Sequence, residues 1–295
     1  MSQSQTKFEF QAIGTGWVID INQDISKDKR AILLDKIMER IAVFDKDYSR
    51  FRKDSLVTEM SIKAGEYILP PDSEIMVSLY KKFFDITNGS VTPLIGQVLV
   101  DAGYDANYSF KQRPLSKPLS WDEVMIWQYP LLTLKFPTLL DFGAGGKGYL
   151  IDIVSEIMEE NGVKSYCVDA SGDIRHRSME NKELRVGLEN PTDKNQVIGV
   201  TKIIKESICG SAGNRRVWGD FHHIISPHSL SSPKQILAVW AIADSTILSD
   251  LLTTALFFTN PEILSRHFDF EYLILRSDYS IAKSSDFPVE LFTLK

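Results

Sequence analysis

The sequence predicts an α+β fold, mainly antiparallel sheet with packed helices, and three observations lead there. Strand-like segments come in runs with few helices between them, the pattern of an antiparallel sheet and not of a doubly wound parallel one. In the second half these segments fall at 164–168, 184–188, 196–204, 237–243, 270–275 and 290–294, with one helical segment, 247–258, among them. Apolar residues make up 43% of the chain and charged residues 24%, a globular balance that excludes disorder, collagen and coiled coil. The 295 residues suit a single domain over 1–295, or two intimately joined lobes.

The elements follow in order. Residues 8–21 read as a strand-like run holding Gly14-Thr15-Gly16. Ser26 can cap a helix running through Arg40 or beyond, because a hydroxyl accepts from the free N–H groups of a first turn. Ile32, Leu33, Ile37, Ile41 and Phe44 have the spacing of one apolar helix face. Asp72 is placed to cap a second helix with apolar positions Ile75, Met76, Leu79, Phe83 and Phe84, and Asn88-Gly89 stops it. Strands are expected at 131–136 and 138–142. A glycine cluster comes next, then a helix near 149–160 ended by Asn161-Gly162.

Lys plus Arg total 33 against 39 for Asp plus Glu, a net charge of -6. Coating nucleic acid requires clustered positive charge, so no nucleic-acid partner is expected. The start, MSQSQTKFEF, has no basic segment leading into an apolar one and no anchoring Cys, so the expected location is cytoplasmic. The most apolar stretch, 235–258, contains Asp244 and Asp250. A membrane span needs about 20 nearly uncharged residues, and none is expected. Cys167 and Cys209 make no metal cluster by themselves and read as reduced, buried thiols.

The most informative segment is Leu139-Leu140-Asp141-Phe142-Gly143-Ala144-Gly145-Gly146-Lys147-Gly148-Tyr149. Glycine permits left-handed backbone and close approach of a ligand to the main chain. The helix that follows offers free N–H groups and a partial positive charge, so an anion fits there. Gly143-x-Gly145-x-x-Gly148 has the form of a dinucleotide fingerprint, with Asp169 near the end of the next strand. The same stretch resembles the first motif of S-adenosylmethionine-dependent methyltransferases. Both readings need βαβ alternation on each side, and the segments do not supply it. A Walker A loop fails, since Gly148 stands where Ser or Thr is required. The plainest reading is a glycine-rich turn without a ligand.

Asp-x-Gly-x-x-x-Lys-Gly-Tyr-x-x-Asp, here Asp141 to Asp152, resembles the signature of the ApbE family, whose members are FAD:protein FMN transferases. Other segments resemble family segments in order over nearly the whole chain. They are Ile13-Gly14-Thr15, Tyr48-Ser49-Arg50-Phe51, Ser171-Gly172-Asp173-Ile174, Arg185-Val186-Gly187-Leu188-Glu189-Asn190-Pro191, His223-Ile224-Ile225-x-Pro227 and Asp250-Leu251-Leu252-Thr253-Thr254-Ala255-Leu256. The resemblance implies an ApbE-like, T-fold-related architecture. It also implies the family reaction: splitting the FAD diphosphate, transferring FMN to a Thr or Ser hydroxyl of a target protein, and releasing AMP. The target would carry an Asp-x-x-Thr/Ser-Gly-Ala-Thr/Ser motif.

Phosphoryl-type transfer depends on positioning and on neutralising charge at phosphate oxygens. A hard, oxygen-seeking cation, Mg²⁺ or Mn²⁺, suits that task. Asp250 and Thr254 are i and i+4 on the expected helix, so their oxygens share one face. By resemblance, these two and the backbone carbonyl of Ala144 are the metal ligands. Lys147 is implied to pair with a phosphate. Ile13, Phe51, Ser90, Val91, Thr92, Asp141 and Ile225 are implied to contact FAD. Residue type alone leaves plainer roles open: a helix-start carboxylate for Asp250, a solvated Lys147, a core Phe51, a turn carboxylate for Asp141.

His223 is the acid–base candidate, since an imidazole near neutrality can take the proton of an acceptor hydroxyl. Neighbouring His222 should point to the opposite face of a strand and not share a ligand with it. Some positions depart from the family pattern: Thr92 and Ser226 stand where the family has acids, and Ser211-Ala212-Gly213-Asn214 replaces a Ser-Gly-Asp-Tyr run. Two alternatives to transfer stay open at this point: a relative that holds FAD or another adenine nucleotide without transferring it, and the methyltransferase.

Overall fold

The computed structural model describes residues 6–292, and its first hairpin shows how local chemistry places a cavity wall. The run at 8–21 is two strands, Thr6–Ala12 and Thr15–Ile21, paired antiparallel. Ala12 faces Thr15, which leaves Ile13 and Gly14 as a two-residue loop with φ of 45° and 75°. Two consecutive left-handed residues make the hairpin turn whose twist matches that of the flanking strands. Gly14 adopts it freely; β-branched Ile13 adopts it at a steric cost.

This hairpin begins an eight-stranded sheet. It continues, in spatial order, through Tyr166–Ala170, Asp173–Arg177, Ser207–Ala212, Ile236–Ala243, Glu271–Arg276 and Ile281–Lys283. Every strand pairing among the described residues is antiparallel. The fold is therefore α+β, as the runs of strand segments predict.

The Ile236–Ala243 strand explains the layering. Val239, Ala241 and Ala243 join the main core, beneath Leu150, Val154 and Leu251 of the Gly146–Glu160 and Thr246–Ala255 helices. Ala238, Trp240 and Ile242 point the other way, into a second core shared with Leu188, Ile198 and Ile203 of a three-stranded sheet. Alternate side chains leave a strand on opposite faces, so a strand covered on both sides is apolar throughout. A third, smaller cluster around Tyr104, Trp218 and Ile225 lies beside the cavity described below.

Several expectations are corrected. Residues 138–142 belong to no strand: Thr138 N–H donates to the Met60 carbonyl and Asp141 N–H to the Pro93 carbonyl, both at 2.8 Å. Partners drawn from separate loops hold this stretch extended without a ladder. The strand–glycine loop–helix unit of the dinucleotide and methyltransferase readings is thus missing, and so is a parallel sheet among the described residues. Asp72 does not cap its helix through its side chain, because its carboxylate serves Tyr48 Oη at 2.7 Å and Arg40. Ser26 does cap Lys27–Tyr48, accepting from Lys29 N–H. Ile32 and Ile75 sit at the margins of their helix faces and are exposed.

Two central strands, Asp173–Arg177 and Ser207–Ala212, are absent from the pattern reading, for a shared reason. Their buried polar residues find partners far away in sequence, such as Asp173 with Lys147 and Ser207 with Thr246. Periodicity cannot register such pairs. The last strand is Val289–Leu291, and residues 293–294 of the expected segment lie outside the described residues. No helix among the described residues is long and apolar enough to cross a membrane.

Candidate active site

The glycine loop and the helix bearing Asp250 meet directly. Gly148 N–H donates to Asp250 Oδ2 at 2.9 Å. A Cβ on Gly148 would lie 2.4 Å from the Thr246 carbonyl oxygen, so no other residue permits this crossing without displacement. Asp152, one turn further along, secures the same junction. Its Oδ1 accepts from Thr246 N–H at 2.9 Å and its Oδ2 from Ile247 N–H at 2.8 Å. One helix thus supplies the N-terminal cap of the other, and Arg175 holds Asp152 from behind at 2.8 Å.

A cavity of about 1200 Å³ opens at this junction. Ala144, Asp250 and Thr254 line it together, as do Ile13, Phe51, Val91, Thr92, Asp141, Lys147, His223 and Ile225. Ser90 is not in the cavity wall, and its N–H closes a turn on the Thr87 carbonyl at 3.1 Å.

The electrostatics differ from a simple phosphate cradle. Asp173, Cys209 and Asp250 are all buried, and their oxygens and sulfur lie within 4.8 Å of one another. Burial, and then the neighbouring Asp173 charge, hold the Asp250 carboxyl well above its ordinary range. Lys147 does not extend freely toward a ligand: it forms an ion pair with Asp173 and donates to the Ala170 carbonyl at 3.4 Å. Burial pulls its ammonium down, but the Asp173 and Asp250 charges outweigh this and raise it above its usual value. Burial also pushes the Cys209 thiol up, so it stays protonated and is a poor metal ligand.

Asp141 is engaged by the protein. It pairs with Arg50 and accepts from Gly143 N–H at 2.7 Å, which fixes the start of the loop. Arg50 also donates to the Tyr104 carbonyl at 2.8 Å and lies 4.2 Å from the centre of the Phe51 ring. Phe51 is itself stacked on Tyr108 at 5.5 Å. Thr92 and Ser226, the departures from the family acids, act as local caps. The Thr92 hydroxyl accepts from Leu94 N–H, and the Ser226 hydroxyl from His228 and Ser229 N–H.

His223 Nδ1 lies 2.9 Å from the Arg215 carbonyl. A carbonyl only accepts, so Nδ1 carries the hydrogen and Nε2 the lone pair. Burial, then the Arg216 charge, lower the imidazole from 6.5 to about 4, so it is neutral at physiological pH. His222 is turned to other partners: it is buried, with Nε2 donating to the Pro233 carbonyl at 3.0 Å and Nδ1 accepting from Ile224 N–H.

Sequence reasoning assigned no role to Arg50, Asp152 or Asp173. All three stand in segments that resemble the family, a sign of position but not of the pairings Arg50–Asp141, Asp152–Arg175 and Asp173–Lys147. The oxygen donors of Ala144, Asp250 and Thr254 fit a hard divalent cation. Lys147 answers only Asp173, and the proton that burial and the Asp173 charge hold on Asp250 is one a divalent cation could replace, which favours the same fit.

The antiparallel α+β fold is that of solved flavin transferases. The ApbE protein from Thermotoga maritima superposes with a TM-score of 0.84 at 18% identity, covering 96% of this chain and 97% of that one. The flavin transferase ApbE from Vibrio cholerae gives 0.82 at 19%, covering 97% and 98%. The chain belongs to the ApbE family, which it matches over residues 9–271. The FAD:protein FMN transferase of Escherichia coli (strain K12) is 24% identical over 280 residues, 87% of this chain and 79% of that protein. That of Klebsiella pneumoniae (strain 342) is 22% identical over 284 residues, 88% and 80%.

Proposed function

We propose that this chain, acting as one unit over 1–295, transfers FMN from FAD to a Thr or Ser hydroxyl of a target protein and releases AMP. We assign it to the cytoplasm and give its target the Asp-x-x-Thr/Ser-Gly-Ala-Thr/Ser motif. The observation that carries the reading is the Gly148–Asp250 hydrogen bond, which unites the glycine loop and the candidate metal helix in one cavity wall. The cavity, about 1200 Å³, is large enough for a dinucleotide.

In this reading Ala144, Asp250 and Thr254 hold Mg²⁺, or Mn²⁺ in its place, and the bound ion would neutralise charge on the diphosphate oxygens. His223 Nε2 takes the proton of the acceptor hydroxyl. That oxygen bonds to the phosphorus of the FMN half, and the bridging oxygen leaves with AMP. Lys147 keeps Asp173 neutralised, and Asp141 with Arg50 holds the loop in shape. Ile13, Phe51, Val91, Thr92 and Ile225 supply the cavity surface for FAD.

The test is incubation with FAD, Mg²⁺ and an acceptor peptide bearing the motif. Fluorescent FMN should appear on the peptide with one AMP released per flavin. Binding of FAD with no AMP release would reduce the chain to a flavin-binding relative.

A further inference from the structure

The three-stranded sheet has the order Val289–Leu291, Asp193–Ile203, Leu184–Asn190. Leu184–Asn190 is therefore an edge, and among the described residues no strand pairs with its other side. An edge carries a row of backbone N–H and C=O groups that an extended peptide can satisfy by joining the sheet. This edge borders the cavity. Leu188 is buried in the second core with Leu184 and Val186 against it, so the alternate positions Arg185, Gly187 and Glu189 are on the opposite face.

Side-chain bonds tie this edge to the candidate base. Arg215 pairs with Glu189 at 2.8 Å, and Asn214 donates to the Pro191 carbonyl. The Arg215 carbonyl in turn accepts from His223 at 2.9 Å. Glu189 answers the charge of Arg215. Among the described residues, Arg185 and Arg216 have no carboxylate partner; Arg216 lies 5.8 Å from the Tyr104 ring centre. In a chain of net charge -6, Arg216 beside His223 and Arg185 on the edge strand thus add two positive charges without a carboxylate partner to the wall of the cavity. Complementary charge selects the partner that crosses such a wall.

We propose that the acceptor protein docks by laying an extended, acidic segment along the Leu184–Asn190 edge as an added strand, its carboxylate held by Arg185 and Arg216. The inference rests on the transferase reading. It adds the place where the acceptor binds and the residues that select it.

The experiment uses the FAD-loaded protein and a fluorescein-labelled acceptor peptide with the Asp-x-x-Thr-Gly-Ala-Thr motif. Peptide affinity is read by fluorescence anisotropy, and FAD affinity separately by flavin fluorescence. R185E should weaken peptide binding on the order of tenfold while leaving FAD affinity unchanged, and changing the peptide Asp to Lys should restore part of the loss. N-methylation of successive peptide amides should weaken binding at alternate positions, because only every second N–H of an added strand faces the edge. Equal losses of peptide and FAD affinity would overturn the proposal by making Arg185 a nucleotide contact. N-methyl effects without alternation would exclude strand addition. A dimer in sedimentation that R185E dissolves would give the edge to a second copy of the chain. Anisotropy needs no turnover, so docking is judged even if transfer fails.

Discussion

Asp173 and Asp250 place two buried carboxylates beside each other, with Lys147 as the ammonium that balances them. The arrangement is electrostatically costly until a cation arrives, because like charges in a low-dielectric site disfavour ionisation. A divalent ion should therefore displace a proton from the pair. Calorimetric titration with Mg²⁺ in buffers of different ionisation enthalpy should show proton release, and none should be seen with Asp250→Asn.

Asp250→Asn should also separate stability from activity. Its carboxyl has a folded pKa raised above the ordinary 3.8, so the folded state binds the proton more tightly than the unfolded one. The stability this group contributes is complete below pH 3.8 and is lost as pH rises through its folded pKa. The amide removes that dependence. At neutral pH the variant should be at least as stable as the parent by thermal melting, yet lack metal-dependent turnover.

Lys147→Met should behave oppositely. Without its ammonium, Asp173 is left as an unpaired carboxylate that is 1% exposed. The Lys147 side chain is 29% exposed, which moderates the cost to about 2 kcal/mol. Urea unfolding should show a lower midpoint at unchanged slope. A solvated surface lysine would give less than about 0.5 kcal/mol.

Gly148→Ala tests the helix junction. The added methyl group would meet the Thr246 carbonyl oxygen at 2.4 Å and Asp250 Cβ at 2.8 Å. Prying the helices apart should cost about 1–3 kcal/mol and weaken Mg²⁺ affinity together with stability. Normal Mg²⁺ affinity in this variant would detach the cation site from the glycine loop.

His223 should keep its base form far into the acid range. With a folded value of about 4, the acid limb of kcat/KM should fall near pH 4 and not near 6.5. The corresponding stability is present above pH 6.5 and lost as pH falls through about 4, because the unfolded imidazole takes the proton first. Arg216→Leu should move the imidazole resonance titration upward. His223→Ala should slow transfer far more than it weakens FAD binding.

The sequence shows the class of the fold because burial leaves periodic traces. The Ile236–Ala243 strand is apolar at every position, and the helices carry apolar faces that neighbouring residues can reveal. The loop Gly143–Gly148 and the pair Asp250 and Thr254 also stand out, as motifs recognisable without coordinates. What pattern reading misses is the polar interior. Asp173, Arg175 and Arg50 look like surface residues in sequence, and each is satisfied by a partner brought from a distant segment.

The sequence by itself determined the family, through motifs kept in order along the chain, and the antiparallel α+β class, through local spacing and residue type; all but Ser90 of the site residues that the resemblance implied lie in the cavity wall. Only the tertiary structure decided that Lys147 answers Asp173, that Arg50 holds Asp141, and that Ser90 stands outside the cavity. A buried charge takes its partner from whatever the fold brings within reach, and no distance along the chain specifies that neighbour.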